Sequence, residues 1–120
     1  MDTRRSIALI DDDRAWRDTL AEFLQDRGYR VCTAENGGSG LALLERFDVG
    51  AAVIDFRMPD MDGIQLLRRL RQQRQDLNVL LLSGEEDPHL ESRALAEGAV
   101  AFLSKATAPA LLLQQHRSAF

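Results

Sequence analysis

One cysteine, one tryptophan, one tyrosine, two histidines and three prolines are all that 120 residues contain of these types, and no apolar run is long enough to cross a bilayer. Each scarcity excludes something. Cys32 has no second cysteine with which to close an internal disulfide, and its place in a short alternating run gives it the role of a small buried residue in a reducing compartment. His89 and His116 stand isolated and offer no Cys/His set of the kind that zinc requires. The start, MDTRRSIALIDDD, places only four apolar residues before three aspartates, too few for a signal peptide or a membrane segment. A cytoplasmic protein without a membrane partner is expected. The 15 basic residues are outnumbered by 19 acidic ones, for a formal charge of -4, so this segment lacks the positive footprint of a direct nucleic-acid binder. Repeats, low-complexity tracts and linker-like stretches are missing as well, and 45% apolar content over this length supports one core. A single domain over 1–120 follows.

What is present is a regular alternation of strand-like and helix-like segments. Strand patterns occupy residues 6–11, 29–34, 51–55, 78–83 and 100–104. Helical spacing predicts a first helix over 14–27 stopped by Gly28, a second over 38–46 and a third over 64–72. A fourth opens with Asp87 as cap and Pro88 at the first helical position and runs to Glu97, with Gly98 after it; Thr107 and Pro109 open a fifth. Trp16 reads as a half-buried packing residue of the first helix. Strands and helices in strict alternation call for a parallel sheet with helices on both faces, because strand-helix-strand crossovers deliver helices there. The expected fold is a doubly wound, flavodoxin-like α/β domain with a five-stranded parallel sheet of order 2-1-3-4-5. Its ligands bind beyond the carboxyl ends of the strands, near the switch point between the first and third.

The strand ends carry chemistry. Asp11, Asp12 and Asp13 follow the first strand, Asp55 the third, Ser83 the fourth and Lys105 the fifth. The turn in DDD prevents all three acids from pointing one way, which leaves Asp11 and Asp12 to face the pocket and Asp13 to cap the first helix. Clustered carboxylates repel one another unless a cation neutralises them, and oxygen-only donors suit Mg²⁺. Lys105 adds a fixed positive charge and Ser83 a hydroxyl. An acid nucleophile, a Mg²⁺ site, a lysine and a hydroxyl are the parts that receive a phosphoryl group. Asp55 is the best nucleophile because it stands alone on its strand, before a Met-Pro turn and a flexible Asp62-Gly63 pair.

The segments LIDDD (9–13), VIDFRMPDMDG (53–63), LLLSGE (80–85) and GAVAFLSK (98–105) resemble, in order and spacing, the receiver domain of two-component response regulators. The resemblance implies a phosphorylation switch, not a stand-alone metabolic enzyme. Asp55 is then the phospho-acceptor, Asp11 and Asp12 hold Mg²⁺ directly or through water, and the main-chain carbonyl of Arg57 is a further metal ligand. Ser83 is the switch hydroxyl, Phe102 the switch aromatic and Lys105 the phosphate-binding lysine. The implied partners are a histidine kinase or phosphotransfer protein and an output domain or effector. Phosphorylation would reshape the face of the fourth helix, fifth strand and fifth helix. Helical spacing in the fifth helix leaves Leu113 near that face, and two readings stand: with Phe102 it supports a phosphorylation-dependent homodimer, or it is a single exposed leucine without a role.

Some positions depart from the commonest pattern or vary within it. Ala106 follows the lysine where many receivers have proline, and a cis bond there would cost about 2.5–4 kcal/mol, so a trans peptide is expected. Arg57 and Glu85 occupy positions that in this family tune phosphoryl lifetime, and two readings stand: an ion pair over the pocket mouth that hinders the hydrolytic water, or two solvated side chains that never meet. A hydrolase of the haloacid dehalogenase type needs a second acid two residues after the nucleophile, where this chain has Arg57. A receiver reduced to a binding module would have lost Asp12, Asp55 or Lys105, and all are present.

Overall fold

The computed structural model describes residues 5–106. Their elements run β1 (Ser6–Ile10), α1 (Arg14–Gln25), β2 (Arg30–Ala34), α2 (Gly37–Arg46), β3 (Ala51–Asp55), α3 (Gly63–Gln73), β4 (Asn78–Ser83), α4 (Pro88–Ala96) and β5 (Ala101–Ser104). All strand pairs are parallel and the order is β2-β1-β3-β4-β5. Topology and element types are those the alternation predicts, with ends shifted by two residues or fewer. The expected fifth helix, with Leu113 and His116, lies outside the described residues.

Strand alternation feeds two cores. Ala8, Ile10, Ala52, Ile54, Val79 and Leu81 face one side and pack with Leu44 of α2, Ile64 and Leu67 of α3 and Leu90 of α4. Ile7, Leu9, Val53, Leu80 and Leu82 face the other and meet Leu20 and Leu24 of α1. The interior strands are therefore apolar at nearly every position, whereas edge strand β2 keeps Arg30 and Thr33 exposed. Burying each large aliphatic side chain contributes about 1.5–3 kcal/mol, which anchors the strands whose ends carry polar groups.

Helix starts are fixed by side-chain caps, of which Asp13 and Asp87 were legible in the sequence and Asn36 was not. Asp13 accepts from the Trp16 amide, Asn36 from Ser39, and Asp87 from Leu90. The Asp62-Gly63 pair is pinned, contrary to the flexibility expected of it: Asp62 and Gln65 form a reciprocal capping box at the start of α3. Gly28 and Gly98 end α1 and α4 at φ of 90° and 103°, as expected of stop signals. None of the described peptide bonds is cis, so Lys105–Ala106 is trans as expected.

Candidate functional site

Because β1 lies between β2 and β3, consecutive crossovers leave its carboxyl end in opposite directions and open a crevice there. Asp11 enters this crevice directly from β1. Its amide donates to the Ala34 carbonyl at 3.0 Å, and its own carbonyl accepts from Arg17 Nη1 at 2.8 Å. The Asp11 carboxylate is fixed by the Asp13 amide at 2.9 Å. Asp55, the last residue of β3, is 6% exposed, whereas Asp12 is exposed at the rim. Each of the three carboxylates contributes an oxygen to a group lying within 4.8 Å of one another.

Lys105 reaches in from the end of β5. Its main chain is held by a 2.8 Å bond from its amide to the Ser83 carbonyl, and its Nζ lies 3.0 Å from Asp11 Oδ2 and 3.5 Å from Asp55 Oδ2. Lys105 thus serves two of the three acids. Burial, reinforced by the Asp11 charge and opposed by Lys105, pushes the Asp55 carboxyl up to about 7. Burial pulls Lys105 down, but its bond to Asp11 and the charges of Asp11 and Asp55 outweigh this and leave it raised. A net negative, oxygen-only cluster of Asp11, Asp12 and Asp55 has the chemistry to hold a hard divalent cation such as Mg²⁺.

Ser83 ends β4 beside Asp55, 8% exposed, and its Oγ accepts from the Glu85 amide at 3.2 Å. Ser83, Phe56, Arg57, Glu85 and Arg93 line a cavity of about 480 Å³ between the β3–α3 loop and α4. Arg57 and Glu85 are both exposed, and among the described residues they form no ion pair within 4.0 Å. The two charges thus overhang one cavity without meeting. Phe102 is already buried, at 9% exposure, and borders a second cavity of about 320 Å³ under the first turn of α4. His89 is exposed, as expected, whereas Cys32 is half-buried on edge strand β2 instead of fully buried as expected, with its thiol raised by burial.

The β3–α3 loop that carries Arg57 is tied down by contacts not foreseen from the sequence. Asp60 accepts from the Gly37 and Gly38 amides at 2.9 and 2.8 Å, capping α2 from another loop. These bonds hold its carboxyl below the usual carboxylate range. At the far end of the loop, Gly63 donates to the Phe56 carbonyl at 2.7 Å, and a Cβ on Gly63 would fall 2.9 Å from the Asp55 carbonyl oxygen. The bare NGG helix start was the one sequence signal for this clamp, since it leaves amides open to an acid from elsewhere.

The family model for the response regulator receiver domain matches residues 7–117. The chain belongs to this family. It is 38% identical over 105 residues to the transcriptional regulatory protein FixJ of Bradyrhizobium diazoefficiens, a match covering 88% of the chain and 51% of the relative. It is 34% identical to the C4-dicarboxylate transport transcriptional regulatory protein DctD of Rhizobium meliloti, covering 99% of the chain and 26% of that protein. The receiver therefore spans about half or a quarter of these relatives. A CheY-like response regulator receiver domain protein from Methanospirillum hungatei superposes with a TM-score of 0.88 at 30% identity, covering 95% of this chain and 91% of that one. Receivers are signalling switches of two-component systems, generally phosphorylated on an aspartate and generally dependent on Mg²⁺ at the acidic pocket; response regulators pair with histidine kinases and output domains. Among the described residues no helix is long and apolar enough to cross a membrane.

Proposed function

We propose that Asp55 is the phospho-acceptor of this receiver, taking its phosphoryl group from the phosphohistidine of a histidine kinase or phosphotransfer protein, or from acetyl phosphate. The observation that carries this reading is the meeting of Asp11, Asp12 and Asp55 within 4.8 Å, with Lys105 Nζ 3.5 Å from Asp55. In the reaction an Asp55 carboxylate oxygen attacks phosphorus, the donor P–N or P–O bond breaks, and the electron pair leaves with the donor. Lys105 balances charge on the transferred oxygens, and the Ser83 hydroxyl is the donor able to follow them once it releases the Glu85 amide. Asp11, Asp12, Asp55 and the Arg57 carbonyl are the proposed Mg²⁺ ligands; when bound, the ion supplies the positive charge that draws acid and phosphoryl oxygens together. Incubation with acetyl phosphate and Mg²⁺ will add one hydroxylamine-labile phosphate per chain. No uptake overturns the reading.

The same proposal assigns the unit, residues 1–120, a cytoplasmic place, to which the free thiol of Cys32 is suited. Its readout is the face of α4 and β5, where Leu95 and Val100 are exposed, and its partners are an output domain, an effector protein or a second phosphorylated copy. Leu113, expected on this face, lies outside the described residues. Phe102, the proposed switch aromatic, is buried against the core in this structure.

Arg57 and Glu85 are proposed to tune phosphoryl lifetime separately, since both line the cavity and neither pairs with the other. Loss of phosphate from Arg57→Ala, Glu85→Ala and the double variant will give independent effects whose logarithms add within error. A double variant no faster than either single one would restore the ion-paired lid.

A further inference from the structure

Lys105 has a third neighbour besides its two acids. Its Nζ lies over the face of Trp16, 5.6 Å from the ring centroid, within the range in which an indole attracts an ammonium. The indole is held from several sides. The Trp16 amide donates to Asp13 at the start of α1, the next residue, Arg17, bonds the Asp11 carbonyl, and the ring packs on the core that contains Leu9, Leu20, Val53 and Leu82. Its Nε1 is buried and has no hydrogen-bond partner among the described residues. The polar edge of the ring is therefore idle while its face is turned to the lysine.

Lysine carries a compact charge on a flexible four-carbon stem, and the residue after it, Ala106, does not stiffen the chain as proline does. Yet its side chain is only 20% exposed and serves two acids at once. We propose that Trp16 is a positioning residue for Lys105, its ring face keeping the ammonium above the acid pair so that it is already in place when the phosphoryl group arrives on Asp55. This rests on Asp55 being the acceptor. An aromatic face suits the task because it orients a cation without neutralising it, leaving the charge available to phosphoryl oxygens.

Three variants test this: Trp16→Phe, which keeps a ring face and removes the idle N–H; Trp16→Leu, which keeps apolar packing alone; and Lys105→Met, which keeps the stem without its charge. Trp16→Leu will be phosphorylated by acetyl phosphate about three- to tenfold more slowly than wild type, and Trp16→Phe within about twofold of it. The Mg²⁺-dependent rise in melting temperature will be the same in all three Trp16 forms, which separates positioning from damage to the fold or metal site. Trp16 is the sole tryptophan, so its fluorescence reports the contact directly: Lys105→Met will change its emission yield in metal-free protein. Wild-type phosphorylation by Trp16→Leu, equal slowing in the Phe and Leu variants, or emission indifferent to Lys105→Met overturns the proposal. Wild-type protein that takes up no phosphate at all removes instead the acceptor assignment on which it stands.

Discussion

Asp55→Asn will take up no phosphate from acetyl phosphate and Mg²⁺ under conditions that label the wild-type protein fully. The asparagine amide has nearly the same shape as the carboxylate, so β3 and the loop after it keep their hydrogen bonds. It is no nucleophile, however, and cannot carry an acyl phosphate. The loss of labelling will come with a gain in stability. Asp55 is buried beside Asp11 with one shared cation, and the folded domain pushes its pKa up to about 7, so in the metal-free protein above that pH a charge is confined where folding disfavours it. Removing it relieves on the order of 2 kcal/mol at pH 8. A variant that lost labelling through unfolding would instead melt at a lower temperature.

The metal-free wild-type domain will lose stability as pH rises from about 5 to 8. Its sign follows from proton counting. The folded-state pKa of Asp55 lies above the ordinary carboxylate value of the unfolded chain, so across this window the folded state binds more protons and each rise in pH favours unfolding. The stabilisation is complete below the unfolded value and gone above about 7. Asp60 and Glu97, whose carboxyls are lowered, act in the opposite sense and only in more acidic solution, so they leave the window clear. The expected fall in melting temperature is on the order of 5–10 °C. Mg²⁺ at pH 8 will reverse it by binding the folded state alone. Asp12→Asn will melt higher than wild type without metal and gain less from Mg²⁺, because it removes one repelling charge and one metal donor together. Scanning calorimetry at pH 5 and 8, with EDTA or Mg²⁺, gives all these comparisons. A wild-type pH dependence matched by Asp55→Asn would remove Asp55 as its source, and equal Mg²⁺ shifts in wild type and Asp12→Asn would remove Asp12 as a ligand.

The parts legible in the sequence are those fixed by local pattern. Strands such as AAVID announce themselves because both faces are buried, and the acid ending that run can be tolerated only at a strand's mouth with partners nearby. Once the order β2-β1-β3-β4-β5 is inferred from the crossovers, Asp11, Asp55, Ser83 and Lys105 fall at one end of one sheet without further assumption. Caps were legible for the same reason, since Asp13 and Asp87 act on amides three residues away. What stayed hidden depends on where side chains reach across the fold. Asp60 stands 22 or more residues from the amides that it binds, and Trp16 meets Lys105 only because α1 and the end of β5 share one side of the sheet. Arg57 and Glu85 show the converse: matched charge at matching offsets allowed either a pair or two solvated side chains, and the structure has the second, because exposed side chains on two loops gain too little from pairing to overcome their freedom.

Reduction of the phosphorylated protein with borohydride tests the central claim most directly, because it converts an aspartyl phosphate to homoserine and fixes the modified position before the phosphate can leave. Peptide mass spectrometry after labelling with acetyl phosphate and Mg²⁺ will find homoserine at position 55 and aspartate at positions 11 and 12. Homoserine at 11 or 12 with Asp55 unchanged, or none at any of the three in a protein that has taken up phosphate, would contradict it.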